Sequence, residues 1–287
     1  MSDTRIARLQ VLAAAALFST GGAAIKACSL DSAAVAGGRS AIAALVLAAA
    51  LPGALRRIDR RVAGVAVAYA ATLVLFVFAN KLTTAVHAIL LQSTSPLYIA
   101  GLSTWLLAEP PTRRDLASLA VIALGMGLLL SSGEAPTALA ANPTLGNLLG
   151  ASSGLAWALT VMGLRALSQR SPDAAASAAI VGNVLAAALT LPMAPREAPG
   201  LTDALVLGWL GVFQVGLAYY LLTRALPRVP ALGAALLLFL EPVLSGVWAW
   251  LVHGELPAPL GVAGSAVILA GLAAHAAAGQ ETAAQDP

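Results

Sequence analysis

The chain has 287 residues, of which 59% are hydrophobic and only 10% charged, with a formal net charge of +3. A soluble domain carries roughly a quarter charged residues, so this chain has too few to cover a water-facing surface of its own size. A polytopic helical membrane protein remains, and the modest basic excess reads as topology signalling between apolar runs rather than as a nucleic-acid surface.

Arg5 and Arg8 open the first apolar run, which covers 6–27. It is longer than the apolar region of a secretory signal, and further runs follow, so it reads as an uncleaved first helix. The next runs are 33–52, 62–80, 84–107 and 115–132. After a stretch at 133–145 holding Gly133, Pro136 and Pro143 come 146–167, 174–193, 204–226, 231–252 and 258–278. About 20 apolar residues cross the roughly 30 Å hydrocarbon layer as a helix. The predicted fold class is therefore an all-α integral membrane protein with ten transmembrane helices, five in 1–132 and five in 146–287, joined by the linker 133–145.

The basic residues orient these runs. With the N-terminus inside, the cytoplasmic side collects twelve arginines: Arg5, Arg8, Arg56, Arg57, Arg60, Arg61, Arg113, Arg114, Arg165, Arg170, Arg224 and Arg228. Lys26, Lys81 and Arg196 fall on the other side, and Arg39 lies within the second run. This is a strong positive-inside bias, and it predicts cytoplasmic N- and C-termini.

A duplicated signature divides the chain. Pro96, Glu109, Pro111 and Gly125 recur without a gap as Pro242, Glu255, Pro257 and Gly271, 146 residues later. An offset of 139 also sets Lys26 against Arg165. Five spans per half is an odd number, so the second half enters the membrane the opposite way up. The charge bias reverses accordingly: four arginines follow span two, whereas Arg196 beside Glu197 follows span seven. Inverted repeats of this kind are characteristic of transporters, with the site near mid-membrane between the halves.

Within the membrane, Pro96 and Pro242 remove a backbone hydrogen bond each and are candidate hinges, although membrane helices also tolerate proline for packing alone. Glu241 lies beside Pro242, and helical spacing places Glu241, Ser245 and Trp248 on one face. The equivalent face of the fourth span carries Ser95, Tyr98, Leu102 and Trp105. These stripes suit a small amphipathic solute, and an aromatic packing seam is the plainer alternative. Arg39 is read as a gating or structural ion pair, with a side chain long enough to reach the interface. Trp157, Asn183, Gln214, Tyr219 and Tyr220 are further pocket candidates, while Glu109 and Glu255 read as acids at the N-terminus of the following helix. Cys28 is the only cysteine, and His87, His253 and His275 are scattered, so no disulfide, metal cage or cofactor is predicted. Ser153 and Ser245 lack a histidine at a shared depth, which argues against an intramembrane protease.

These residues resemble the EamA-type drug/metabolite transporter superfamily. The likeness rests on a basic residue late in the first helix of each half (Lys26, Arg165), Arg39 in the second, and a proline-centred fourth helix ending in Glu. Ala225-Leu226-Pro227-Arg228-Val229 through Leu240-Glu241-Pro242-Val243 to Gly254-Glu255 is especially similar. The resemblance implies ten helices around a central cavity with alternating access. It is strongest to bacterial amino-acid and metabolite exporters, including YddG-type aromatic amino-acid exporters, whose aromatic position Trp157 matches. The segment Gln92-Ser93-Thr94-Ser95-Pro96 is less aromatic than in that branch.

The expected function is export of small metabolites, above all aromatic or other neutral amino acids, with Ser95, Tyr98, Trp157, Tyr219, Glu241 and Trp248 as substrate-binding residues. A cationic drug or polyamine exporter is the alternative, since an acid among aromatics receives a cation. Sugar phosphates rank lower because only Arg39 is deep in a span. The expected partners are a small-molecule substrate and the lipid bilayer of a bacterial inner membrane, with nothing that requires more than a monomer.

Overall fold

The computed structural model describes residues 3–56, 58–131, 141–195, 199–253 and 259–285. Arg57, Arg196, Glu197, Glu255 and Pro257 lie outside these residues, as do Gly133 and Pro136.

The described residues are almost wholly helical. The first half contains α1 (Asp3–Ala27), α2 (Ser32–Ala50), α3 (Arg60–Leu82), α4 (Ala85–Gln92), α5 (Ser95–Leu107) and α6 (Arg113–Ser131). The second contains α7 (Pro143–Arg170), α8 (Pro172–Thr190), α9 (Leu201–Trp209), α10 (Ala218–Ala225), α11 (Ala231–Leu237), α12 (Leu240–His253) and α13 (Pro259–Gln285). Short polar side chains begin many of them. Asp31 accepts from the Ala34 amide at 2.7 Å, Asp59 from Arg61 and Val62 at 2.9 and 2.8 Å, and Asn142 from Leu145 at 3.1 Å. Such caps satisfy amides that a helix start leaves without an internal partner. Pro143 and Pro172 stand in first turns, where a missing N–H costs nothing.

Eight helical stretches are long and apolar enough to cross a membrane, and Pro259–His275 is a shorter apolar helix. The fourth run is not one continuous helix. It breaks after Gln92, and the ninth run breaks after Leu237 at the equivalent place. The cause is local. Pro96 and Pro242 have no N–H to return to Gln92 and Leu238, so the chain tightens into shorter turns. Thr94 N bonds Leu91 O at 3.3 Å, and Phe239 N bonds Leu236 O at 3.1 Å. The eighth run is continuous but widens into a π-helical segment, Leu210–Leu217, between α9 and α10.

Packing repeats when the halves are exchanged. α3 packs on α7, and α1 packs on α10 and the π segment. α1 packs on α12, and α7 packs on α4 and α5. The helices α2 and α8, and likewise α6 and α13, face their own counterparts. Each of these contacts thus has its counterpart when the two halves are exchanged. Large apolar side chains such as Leu45, Leu124, Leu148, Leu201 and Leu205 point outward, as a lipid solvent requires.

The α6–α13 crossing depends on two glycines. A Cβ on Gly264 would lie 2.6 Å from the Gly125 carbonyl oxygen, and one on Gly125 would lie 2.7 Å from the Gly264 oxygen. Close backbone approach of this kind is how helices associate where burial from water supplies no drive. Gly127, one turn-edge away, has open space. Gly264→Val is therefore expected to separate the helices and destabilise the protein by about 1–3 kcal/mol. Gly127→Val is expected to be neutral. Thermal unfolding of both variants in detergent checks the contrast.

Candidate functional site

Helices from both halves close around a small central cavity. Its wall includes Phe18 (α1), Arg39 (α2), Thr72 (α3), Gln92 (end of α4), Trp157 (α7), Gln214 (π segment), Tyr219 (α10) and Glu241 (α12). Most of these residues stand near the middle of their spans, so the cavity lies deep in the bundle. Its volume is about 30 Å³. A second cavity, of about 10 Å³, continues it past Gln92, Trp157 and Glu241 to Ser93, Ser95, Pro96, Leu238 and Phe239. Both helix breaks therefore border the same space.

Three rings form its apolar side. Phe18 stands edge-on to Trp157 and to Tyr219, with centroids 5.8 and 5.1 Å apart, and Trp157 stands edge-on to Tyr219 at 5.9 Å. Edge-to-face packing at these distances is favourable for aromatic quadrupoles. Behind them the Tyr69 ring lies 4.4 Å from Tyr219, and its hydroxyl accepts from Asn183 Nδ2 at 2.8 Å. The polar side is built around Arg39, which is only 1% exposed. Its Nη1 donates to Gln214 Oε1 at 3.2 Å and its Nη2 to Leu73 O at 3.0 Å. The widened π turn places Gln214 here, lying across Gly21 of α1, where a Cβ would meet its Nε2 at 2.7 Å. Such π segments recur at functional sites because one displaced turn re-aims a side chain.

A separate polar clasp ties the halves together at one end of the bundle. Ala108 takes the left-handed conformation with φ 55°, and Glu109 N bonds back to Ser103 O at 3.3 Å. This turn aims Glu109 across the interface. Its Oε1 pairs with Arg165 Nε at 2.7 Å, and its Oε2 accepts from the Ala231 amide at 3.0 Å. Arg165 also donates to Leu226 O. Glu109 thus caps α11 in the other half. It does not start α6, whose first turn is held by Thr112 and Asp115 bonding each other's amides at 3.1 and 2.9 Å. At the opposite end Lys26 Nζ donates to Thr83 O at 2.7 Å.

The sequence pattern of the EamA-like transporter family matches residues 5–131 and, a second time, 144–275. The chain belongs to the EamA-like transporter family. It is accordingly a multi-pass membrane protein of a transporter family, which is not a family of enzymes. Among solved structures, one titled only as the crystal structure of a protein superposes with a TM-score of 0.78. It shares 21% identity and covers 93% of this chain and 95% of its own, a likeness of fold. No curated relative matches the chain.

Of the predicted residues, this EamA-like bundle brings Trp157, Tyr219 and Glu241 to the main cavity, and Ser95 and Pro96 to its extension. Pro242 is buried at the start of α12, next to that extension. Arg39 is in the cavity wall, far from any snorkelling position. Tyr98 is 37% exposed and Trp105 82% exposed, and neither lines either of these two cavities. The buried stripe of α5 is Ser95, Ile99 and Ser103, and these two aromatics are rotated off it. Trp248 donates to Ser19 Oγ at 2.9 Å, and Ser245 donates to Ser19 O at 3.1 Å, so both seal the α1–α12 seam. Ser153 Oγ donates to Gly150 O at 2.8 Å within its own helix. Among the described residues no three His, Cys, Asp or Glu side chains gather as a metal site. Phe18, Thr72 and Phe76 were not legible as lining residues, because a lone phenylalanine or threonine on an apolar helix carries no distinguishing signal.

The clasp gives a stability prediction. Glu109→Ala leaves a mostly buried Arg165 without its counter-charge and the Ala231 amide without its acceptor, a loss of about 1–3 kcal/mol. Glu109→Gln keeps one acceptor and loses less. Detergent melting curves of the two variants, ranked against the parent, check the order.

Proposed function

We propose that the chain is a secondary transporter that exports small metabolites, above all amino acids, by alternating access between two inverted five-helix repeats. The observation that carries this reading is the small central cavity, walled by both halves and bordered by both helix breaks. About 30 Å³ is room for one or two waters. A metabolite is larger than this space, so in this reading its binding requires the walls to part. The breaks before Pro96 and Pro242 supply hinges for that movement, since each half can tilt about a point where backbone hydrogen bonding is already interrupted.

In this reading ten segments cross the membrane, counting the broken α4–α5 and α11–α12 pairs and α13 as spans. Support for the inversion comes from the exchange-related packing and the odd number of spans per half. The alternating helix directions gather Arg60, Arg61, Arg113, Arg114, Arg165, Arg170, Arg224 and Arg228 at the end bearing the N-terminus. That end faces the cytoplasm of a bacterial inner membrane under the positive-inside bias. Three rings and a carboxylate favour an amphipathic solute, aromatic amino acids included. The same group also supports a second reading, a cationic drug or polyamine.

Counterflow in proteoliposomes, with labelled amino acids and amines offered as a panel, tests the proposal. Saturable exchange of amino acids is expected, and saturable exchange of no panel member would sink the transporter reading. Pro96→Ala and Pro242→Ala are expected to lower turnover several-fold with little change in half-saturating concentration. Equal effects on both parameters would show that the prolines only shape the site.

A further inference from the structure

The main cavity is walled by a buried guanidinium, Arg39, and a partly buried carboxyl group, Glu241, that do not pair with each other. Arg39 offers five N–H donors. Two of its nitrogens are tied to Gln214 and Leu73, while Nε is buried without a partner. Glu241 lines both cavities, and among the described residues its carboxylate has neither an ion-pair partner nor a side-chain hydrogen bond. Tyr219 lines the same cavity as both side chains.

Placing an ionisable side chain inside a membrane bundle is expensive unless something partners it. If Arg39 and Glu241 served only to neutralise each other, direct contact would be the cheaper arrangement. Instead Gln214 and the Leu73 carbonyl hold the guanidinium back, and α12 presents the carboxylate from another wall. A free cation entering this space meets Arg39, and a free anion meets Glu241. A molecule carrying both charges satisfies both walls at once.

We propose that Arg39 binds the carboxylate and Glu241 the ammonium of an α-amino acid, whose side chain lies among Phe18, Trp157 and Tyr219. This rests on the transporter reading above and names the substrate class of its site. It also makes Arg39 a ligand-binding residue rather than a gate, since no carboxylate among the described residues pairs with it. The planar guanidinium suits a carboxylate held through two donors, and an ammonium in its place loses that geometry.

The test uses the full chain in proteoliposomes, with labelled phenylalanine and leucine in counterflow. Competitors are 2-phenylethylamine and 3-methylbutylamine, which lack the carboxylate, and 3-phenylpropanoate and 4-methylpentanoate, which lack the ammonium. In the parent protein each single-charge competitor is expected to need at least about tenfold more than the amino acid, the scale of one charge-assisted hydrogen bond. Arg39→Gln is expected to raise the half-saturating concentration for amino acids at least about tenfold while leaving amine competition unchanged or stronger. Glu241→Gln is expected to do the reverse, sparing the carboxylic acids. Arg39→Lys should fall between. Equal weakening of all three ligand types by Arg39→Gln, or unchanged amino-acid affinity, would overturn the assignment. If that variant does not fold, the parent series decides: amines competing as well as amino acids overturns it and leaves a cation transporter standing. Failure of every ligand would reject the transporter reading itself.

Discussion

Pro96 and Pro242 impose the constraint on which the rest of the centre depends. A helix inside an apolar bundle must satisfy its own backbone, and a proline prevents one bond and displaces the turn before it. Both chains of consequences run to the same place. The breaks at Ser93–Thr94 and Leu238–Phe239 end two helices at mid-bundle, and polar side chains converge where the regular ladder stops. Glycines then let neighbours close over the gap. Gly154 of α7 brings that helix against the first break, where a Cβ would sit 2.8 Å from Leu91 O and 2.9 Å from Thr94 Oγ1. The small cavity is what remains after this packing, so its shape is set by the breaks and its walls by the helices that cover them.

Holding two such halves together needs interactions that do not rely on burial from water. The α6–α13 crossing provides one through backbone approach at Gly125 and Gly264. The Glu109 clasp provides another through a charge pair that also caps α11. Such contacts are local and breakable. They add to the wide apolar packing between the halves, where α3 lies on α7 and α8, and α1 on α10 and α12.

The sequence revealed the outer frame better than the inner lining. Length and spacing of apolar runs located all the helical regions, because hydropathy is a one-dimensional signal. The proline–glutamate repeat marked where the two broken helices fall. Rotation about a helix axis was less legible. Tyr98 and Trp105 lie to one side of Ser95 on α5, but the buried stripe runs through Ser95, Ile99 and Ser103 to its other side. Glu109 looked like the start of its own next helix, while the left-handed turn at Ala108 sends it to α11. The role of Gln214 depends on a π-helical turn, which no periodicity in the eighth run announces. Arg39 was visible as an expensive residue, yet whether its side chain reaches outward or inward depends on what Gln214 and Leu73 offer it.

A symmetric scaffold ordinarily builds a symmetric site, and this one does not. The repeat partner of Glu241 is Ser95, so the anion belongs to the second half alone. The partner of Arg39 is Ala178 under an offset of 139 and Leu185 under one of 146, so the cation belongs to the first half alone. Each half therefore contributes one charge, and the two are opposite. A cavity with this arrangement has a direction, running from the α2 wall to the α12 wall across the interface that must move. A dipolar solute bound along that direction bridges the halves, and their separation requires that at least one of its two charged contacts be released. In the transport cycle we propose, the duplicated frame would supply the motion, and the unlike residues at its matched positions would couple that motion to the presence of a ligand.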